Sequence, residues 1–124
     1  MVCYSMASIT RRAFFDLKAT KIMHLIQILL PLTDNDGHDL PPDLYEKVAH
    51  DLTHHFGGVT AYTRSPADGR WKEGGLDVSS DKVVVFEVMV SSIEETWWRD
   101  YRQSLETSFR QKQVIVRAQS MRLL

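Results

Sequence analysis

Lys82–Val90 reads KVVVFEVMV, and the fold follows from how that run is placed. Val83 to Val90 is almost wholly β-branched or aromatic, a composition suited to a pleated and buried backbone. Side chains of a strand alternate between its faces. Val84, Phe86, Val88 and Val90 therefore make one apolar face, and Val83, Val85, Glu87 and Met89 make the other. The first face is expected to carry helices. The second holds a carboxylate among apolar neighbours, and an ionised carboxylate is costly to bury unless it is paired or hydrogen-bonded. Glu87 must meet either water or a polar partner.

Upstream, Ile22–Leu30 repeats the design. His24, Ile26, Ile28 and Leu30 form its more apolar face, and Met23, Leu25, Gln27 and Leu29 form a face with one central polar group. Pro31 ends the strand, and the stretch from Thr33 to Asp39 is rich in turn residues. Pro41 and Pro42 introduce a helix, since proline is tolerated in a first turn. Leu44, Val48, Leu52 and Phe56 form its inner stripe, widened by Tyr45 and Ala49. Gly57 is placed to end it in the left-handed conformation. Val59–Arg64 is a shorter and more polar strand. Ser65 to Gly69 is a turn, and Arg70-Trp71-Lys72 is a small extra strand before Gly74-Gly75.

Downstream, Ser92 and Glu95 have capping-box spacing. Ile93, Trp97, Tyr101, Leu105 and Phe109 carry a helical period to about Arg110, with Trp98 beside the stripe. Gln113–Gln119 is the last strand, with Val114, Val116 and Ala118 facing one way and Gln113, Ile115, Arg117 and Gln119 the other. The order β-α-β-β-α-β predicts an α+β, ferredoxin-like domain. Its four-stranded antiparallel sheet carries two helices on one face. The first and third strands are central. Residues 22–124 make this single domain, and residues 1–21 form an amino-terminal extension with a short helix around Ser8–Leu17.

Four stretches carry a resemblance: LIQILLPL at 25–32, FGGVTAYTR at 56–64, the Gly69-x-Trp71 pair and VVVFEVMV at 83–90. In these the chain is similar to a family of short, uncharacterised bacterial proteins. More distantly it resembles a bacterial domain of unknown function with an F-x-G-x-T…G-x-W pattern. The likeness covers about residues 22–120. It implies a ferredoxin-like α+β domain and no particular activity.

Hydrophobic residues make up 44% of the chain and charged residues 25%, an ordinary globular balance. The formal net charge of −1 gives no overall field toward nucleic acid or an anionic membrane. The single cysteine, Cys3, excludes an internal disulfide. Thr10-Arg11-Arg12-Ala13-Phe14-Phe15 resembles a twin-arginine export signal. Asp16, Lys18 and Lys21 interrupt the segment downstream of it, and no A-x-A cleavage site appears. No apolar run reaches the roughly 18 residues of a membrane span. The expected location is the cytoplasm.

Three constellations carry candidate chemistry. Gln27, Glu87 and Arg117 are expected on the helix-free face of the sheet. Tyr62 and Arg64 join them if the Thr60-Tyr62-Arg64 side points the same way. Arginine grips a carboxylate or phosphate through two parallel hydrogen bonds, and tyrosine donates one more, so this face suits a small polar or anionic ligand. It equally suits cross-strand salt bridging or the interface of a homodimer. The second constellation is His50-Asp51-Leu52-Thr53-His54-His55. His50 and His54 have metal-ligand spacing on a helix, but no third ligand is evident, and the expectation is no metal and no cofactor. The third is Trp71 between Arg70 and Lys72. Aromatic and basic residues together bind single-stranded nucleic acid, but Asp68, Glu73 and Asp77 dilute this short cluster, so Trp71 is expected to cap one end of the sheet beside the candidate pocket. There is no phosphate-binding loop, nucleophile elbow or dinucleotide fingerprint. The favoured function is a homodimer joined through the helix-free face, with a small-molecule pocket at Gln27, Tyr62, Arg64, Trp71, Glu87 and Arg117. The alternative is a cofactor-independent monooxygenase or isomerase of the dimeric α/β-barrel type.

Overall fold

The computed structural model describes residues 2–3, 21–64 and 82–124. Within these, seven elements succeed one another along the chain. They are β1 (Val2–Cys3), β2 (Lys21–Pro31), α1 (Pro42–Phe56), β3 (Thr60–Arg64), β4 (Val83–Val90), α2 (Glu95–Ser108) and β5 (Ile115–Leu123). The Ser8–Leu17 helix, the Ser65–Gly69 turn and the Arg70-Trp71-Lys72 strand lie outside the described residues.

The expected α+β plan is present. β3, β4, β2 and β5 lie side by side, every neighbouring pair antiparallel, with β2 and β4 in the centre. The sheet has one strand more than the sequence indicated. Val2–Cys3 pairs antiparallel with Ala61 and Thr60, at the outer edge of β3. Two residues are too few to show a period, so this pairing left no mark in the sequence. It satisfies backbone groups that an edge strand otherwise leaves open.

Both helices pack on one face. Ile26, Ile28 and Leu30 of β2 join Phe86, Val88 and Val90 of β4 in a single core with Val48, Ala49 and Leu52 of α1 and Trp98 and Leu105 of α2. The opposed faces assigned to KVVVFEVMV are therefore the real ones. α1 starts with Pro42 in its first turn and ends at Gly57, whose φ of 85° is the left-handed geometry expected there.

The second helix departs from expectation in two ways. Ser92 provides no cap: Glu94 precedes the first turn, and no side chain caps it. Ile93 consequently stands outside the helix and is 37% exposed. Trp98, placed beside the stripe by the sequence, is the buried indole at 6% exposure. The reason is the carboxyl end of α1. Phe56 stacks parallel to Trp98 with ring centres 5.1 Å apart, and Trp97 is turned onto His55 at 4.2 Å and Tyr101 at 4.8 Å. β5 also runs beyond Gln119 to Leu123, because Ser120 to Leu123 pair with β2 back to Lys21.

Two tyrosines tie helix to sheet and helix to helix. The Tyr45 hydroxyl donates to the Pro31 carbonyl at 2.5 Å, and the Tyr101 hydroxyl donates to Asp51 Oδ2 at 3.4 Å. Burial pushes the Tyr45 hydroxyl up to about 12. Burial, then the Asp51 carboxylate, raises that of Tyr101 further. In the unfolded chain both titrate near 10. Below that value both states hold the proton and the stabilisation is complete. From about 10 to 12 only the unfolded state releases it, so the folded state loses ground. The urea midpoint of unfolding is expected to fall across this window, and Tyr45→Phe to flatten the fall. A midpoint that stays level from pH 9 to 12 contradicts the assignment.

Candidate functional site

Register decides what the helix-free face presents. Thr60 of β3 lies opposite Glu87 of β4, Glu87 opposite Gln27 of β2, and Gln27 opposite Arg117 of β5. Four polar residues thus stand in one row across four strands. The side chains of the last three are hydrogen-bonded in sequence. Arg117 Nε donates to Gln27 Oε1 at 2.9 Å, and Gln27 Nε2 donates to Glu87 Oε2 at 2.6 Å. Tyr62, opposite Val85 on the next row, reaches over and donates its hydroxyl to the same Oε2 at 3.2 Å.

Each bond fixes the next. The arginine can only donate, so it claims the amide oxygen of Gln27. The amide nitrogen is then left to donate to the carboxylate. Glu87 Oε2 accepts both the Gln27 and the Tyr62 bond. Partial burial raises the pKa of Tyr62, the adjacent Glu87 charge adds to this, and Arg64 opposes it. Tyr62 therefore keeps its proton and stays a donor.

The surroundings are apolar and unevenly exposed. Val85 is fully buried and Met23 is 4% exposed, although neither belongs to the cluster beneath the helices. Leu25, Leu29, Val83 and Met89 are half-buried. Toward β5 the face opens: Ile115 is 51% exposed, and Arg117 and Gln119 are exposed.

Of the six candidate ligand residues, Gln27, Tyr62, Glu87 and Arg117 form one network. Arg64 sits on the same face, opposite Val83 and exposed, and acts on Tyr62 through its charge. Trp71 lies outside the described residues. Thr60 completes the row. Its position on the Thr60-Tyr62-Arg64 side was the signal for it, but its place opposite Glu87 depends on register.

The histidine pair of α1 is exposed, with parallel rings 6.3 Å apart. Among the described residues only Asp34, Asp36 and His38 bring three ligand-type atoms within 4.8 Å of one another. Asp34 there serves the loop. Its Oδ1 accepts from the backbone N–H groups of His38 at 2.9 Å and Asp36 at 2.8 Å, and the His38 bond leads in holding its carboxyl below the usual value. Gly37, at φ 81°, completes the turn.

A groove of about 300 Å³ lies on the other side of the sheet, between α2 and the β2–β5 edge. No helix among the described residues is long and apolar enough to cross a membrane. No model of a known protein family matches the chain, and neither does any curated protein.

Proposed function

We propose that the protein is a homodimer that meets its partner through the β5 side of the helix-free face. The Arg117–Gln27–Glu87–Tyr62 network is its ligand-facing surface, taking a small polar or anionic molecule, with Arg64 beside it. We likewise place the chain with the short bacterial proteins it resembles. The observation that carries the reading is the polar row itself. A hydrogen-bonded network amid apolar side chains is kept at a cost in desolvation, and its return is specificity. Arg117 commits Nε to Gln27, which leaves the outer edge of its guanidinium for a carboxylate or phosphate. Exposed Ile115 beside it gives the same edge an apolar contact.

The alternative, a cofactor-independent monooxygenase or isomerase, rests on fold analogy. It gains nothing from the groove, which lies on the opposite side of the sheet from Glu87.

Sedimentation of the full chain over a concentration series tests the dimer. A dimer is expected, with Ile115→Lys weakening it at least about tenfold, or about 1.4 kcal/mol. Ile115 is half exposed, so the substitution should leave the fold intact. A chain that stays monomeric up to about 1 mM, an association weaker than about 4 kcal/mol, refutes the proposal.

A further inference from the structure

The groove between α2 and β5 has a composition of its own. Its floor is apolar: Ile26 of β2 with Val116 and Ala118 of β5, and Ile93 at the head of the helix. Its helix wall carries Trp98, Arg99 and Arg102. Residues three apart on a helix share one side, so the two guanidinium groups stand over the same groove. Among the described residues neither is in an ion pair. Glu95 is the one acidic residue of the lining. Trp98 lines the same wall, and its Nε1–H is buried with no acceptor among the described residues.

We propose that this groove, which Arg117 of the polar row also borders, is a second binding site, for a small apolar carboxylate. The apolar part lies on Ile26, Val116 and Ala118. The carboxylate sits between Arg99 and Arg102, whose planar forks match its two oxygens. Three features argue for this occupant. The volume is at the lower end of small-ligand sites, which suits a single short chain or ring. The floor residues Ile26, Val116 and Ala118 are apolar, with Arg117 the one polar residue that β5 adds to the lining. Arg99, Arg102 and Arg117 outnumber Glu95, so the net charge of the lining is positive and an anionic head is favoured over a neutral or cationic one.

Octanoate is the probe, with octan-1-ol as the uncharged control, titrated into full-length protein and followed by amide and indole resonances. Octanoate is expected to shift the Trp98 indole signal and the amides of 115–118. Arg99→Gln with Arg102→Gln is expected to weaken it by about 10- to 100-fold, the range for hydrogen bonds to a charged group. Arg99 is exposed and Arg102 half-buried on α2, and glutamine is a comparable helix former, so an unchanged urea midpoint separates lost binding from lost fold. Equal affinity for the alcohol and the acid overturns the proposal. So does unchanged octanoate affinity in the double variant, or a response confined to Gln27 and Glu87.

Discussion

Phe109→Ala is expected to lower the free energy of unfolding by about 3–5 kcal/mol, the usual loss for a large aromatic in a core that closes only partly around the gap. Phe109 is fully buried directly after the last turn of α2, and its backbone N–H closes that turn on Leu105 O at 2.9 Å. Its ring meets Tyr45 of α1 edge-on, with centres 5.2 Å apart at 72°. One side chain therefore stops one helix and packs against the other. The gap would also leave Tyr45 without the ring against which it rests while holding the Pro31 carbonyl. A domain of this size has about 5–15 kcal/mol of stability in all, so the variant should unfold at a much lower urea midpoint with its slope unchanged. Ile115→Ala, at a half-exposed position, should change the free energy of unfolding by no more than about 0.5 kcal/mol. A Phe109→Ala loss below about 1 kcal/mol means that the two helices are held together elsewhere.

The reach of the sequence is uneven, for physical reasons. Period-two alternation is a local property, so the two faces of KVVVFEVMV and of the Ile22–Leu30 run could be read from the residues alone. Each carried one central polar residue on its less apolar face, which was enough to put Gln27 and Glu87 on the same side. Placing them directly opposite each other needs register. Register is set by turns and long-range pairing rather than by either strand. The extension of β5 to Leu123 went unread although Ser120-Met121-Arg122-Leu123 does alternate polar with apolar; four residues are a short run, and pairing with β2 is what holds them in the sheet. Helix rotation failed for a related reason. The local period puts Trp97 in the inward stripe and Trp98 beside it, yet Trp98 is the buried indole. The choice between them was made by Phe56, on a helix about 40 residues earlier in the chain. The α2–β5 groove had no local signal at all, because Arg99 and Arg102 read as an ordinary charged face until β5 is laid beneath them.

Breaking the polar row at its acceptor should cost more than abolishing it. Glu87→Leu removes the oxygen that receives Gln27 and Tyr62, leaving two donors on a partly buried face. An orphaned donor costs about 1–3 kcal/mol, more than a satisfied hydrogen bond contributes. Gln27 cannot recover by turning its amide over, because Arg117 Nε would then face an NH₂ group instead of an oxygen. The single variant is therefore expected to lose about 1–3 kcal/mol. Adding Gln27→Leu and Tyr62→Phe removes the stranded donors, while Arg117, at the exposed edge, turns to water. The triple variant should return to within about 1 kcal/mol of the parent chain, since apolar replacements of a whole network can be neutral. Urea unfolding of the parent, single and triple variants distinguishes the two accounts. If the losses simply add, the four side chains are independent surface contacts and the row has no standing as a unit. If the triple variant recovers stability, the row is not there for stability, and a ligand or partner is the remaining physical reason for a chain to keep it.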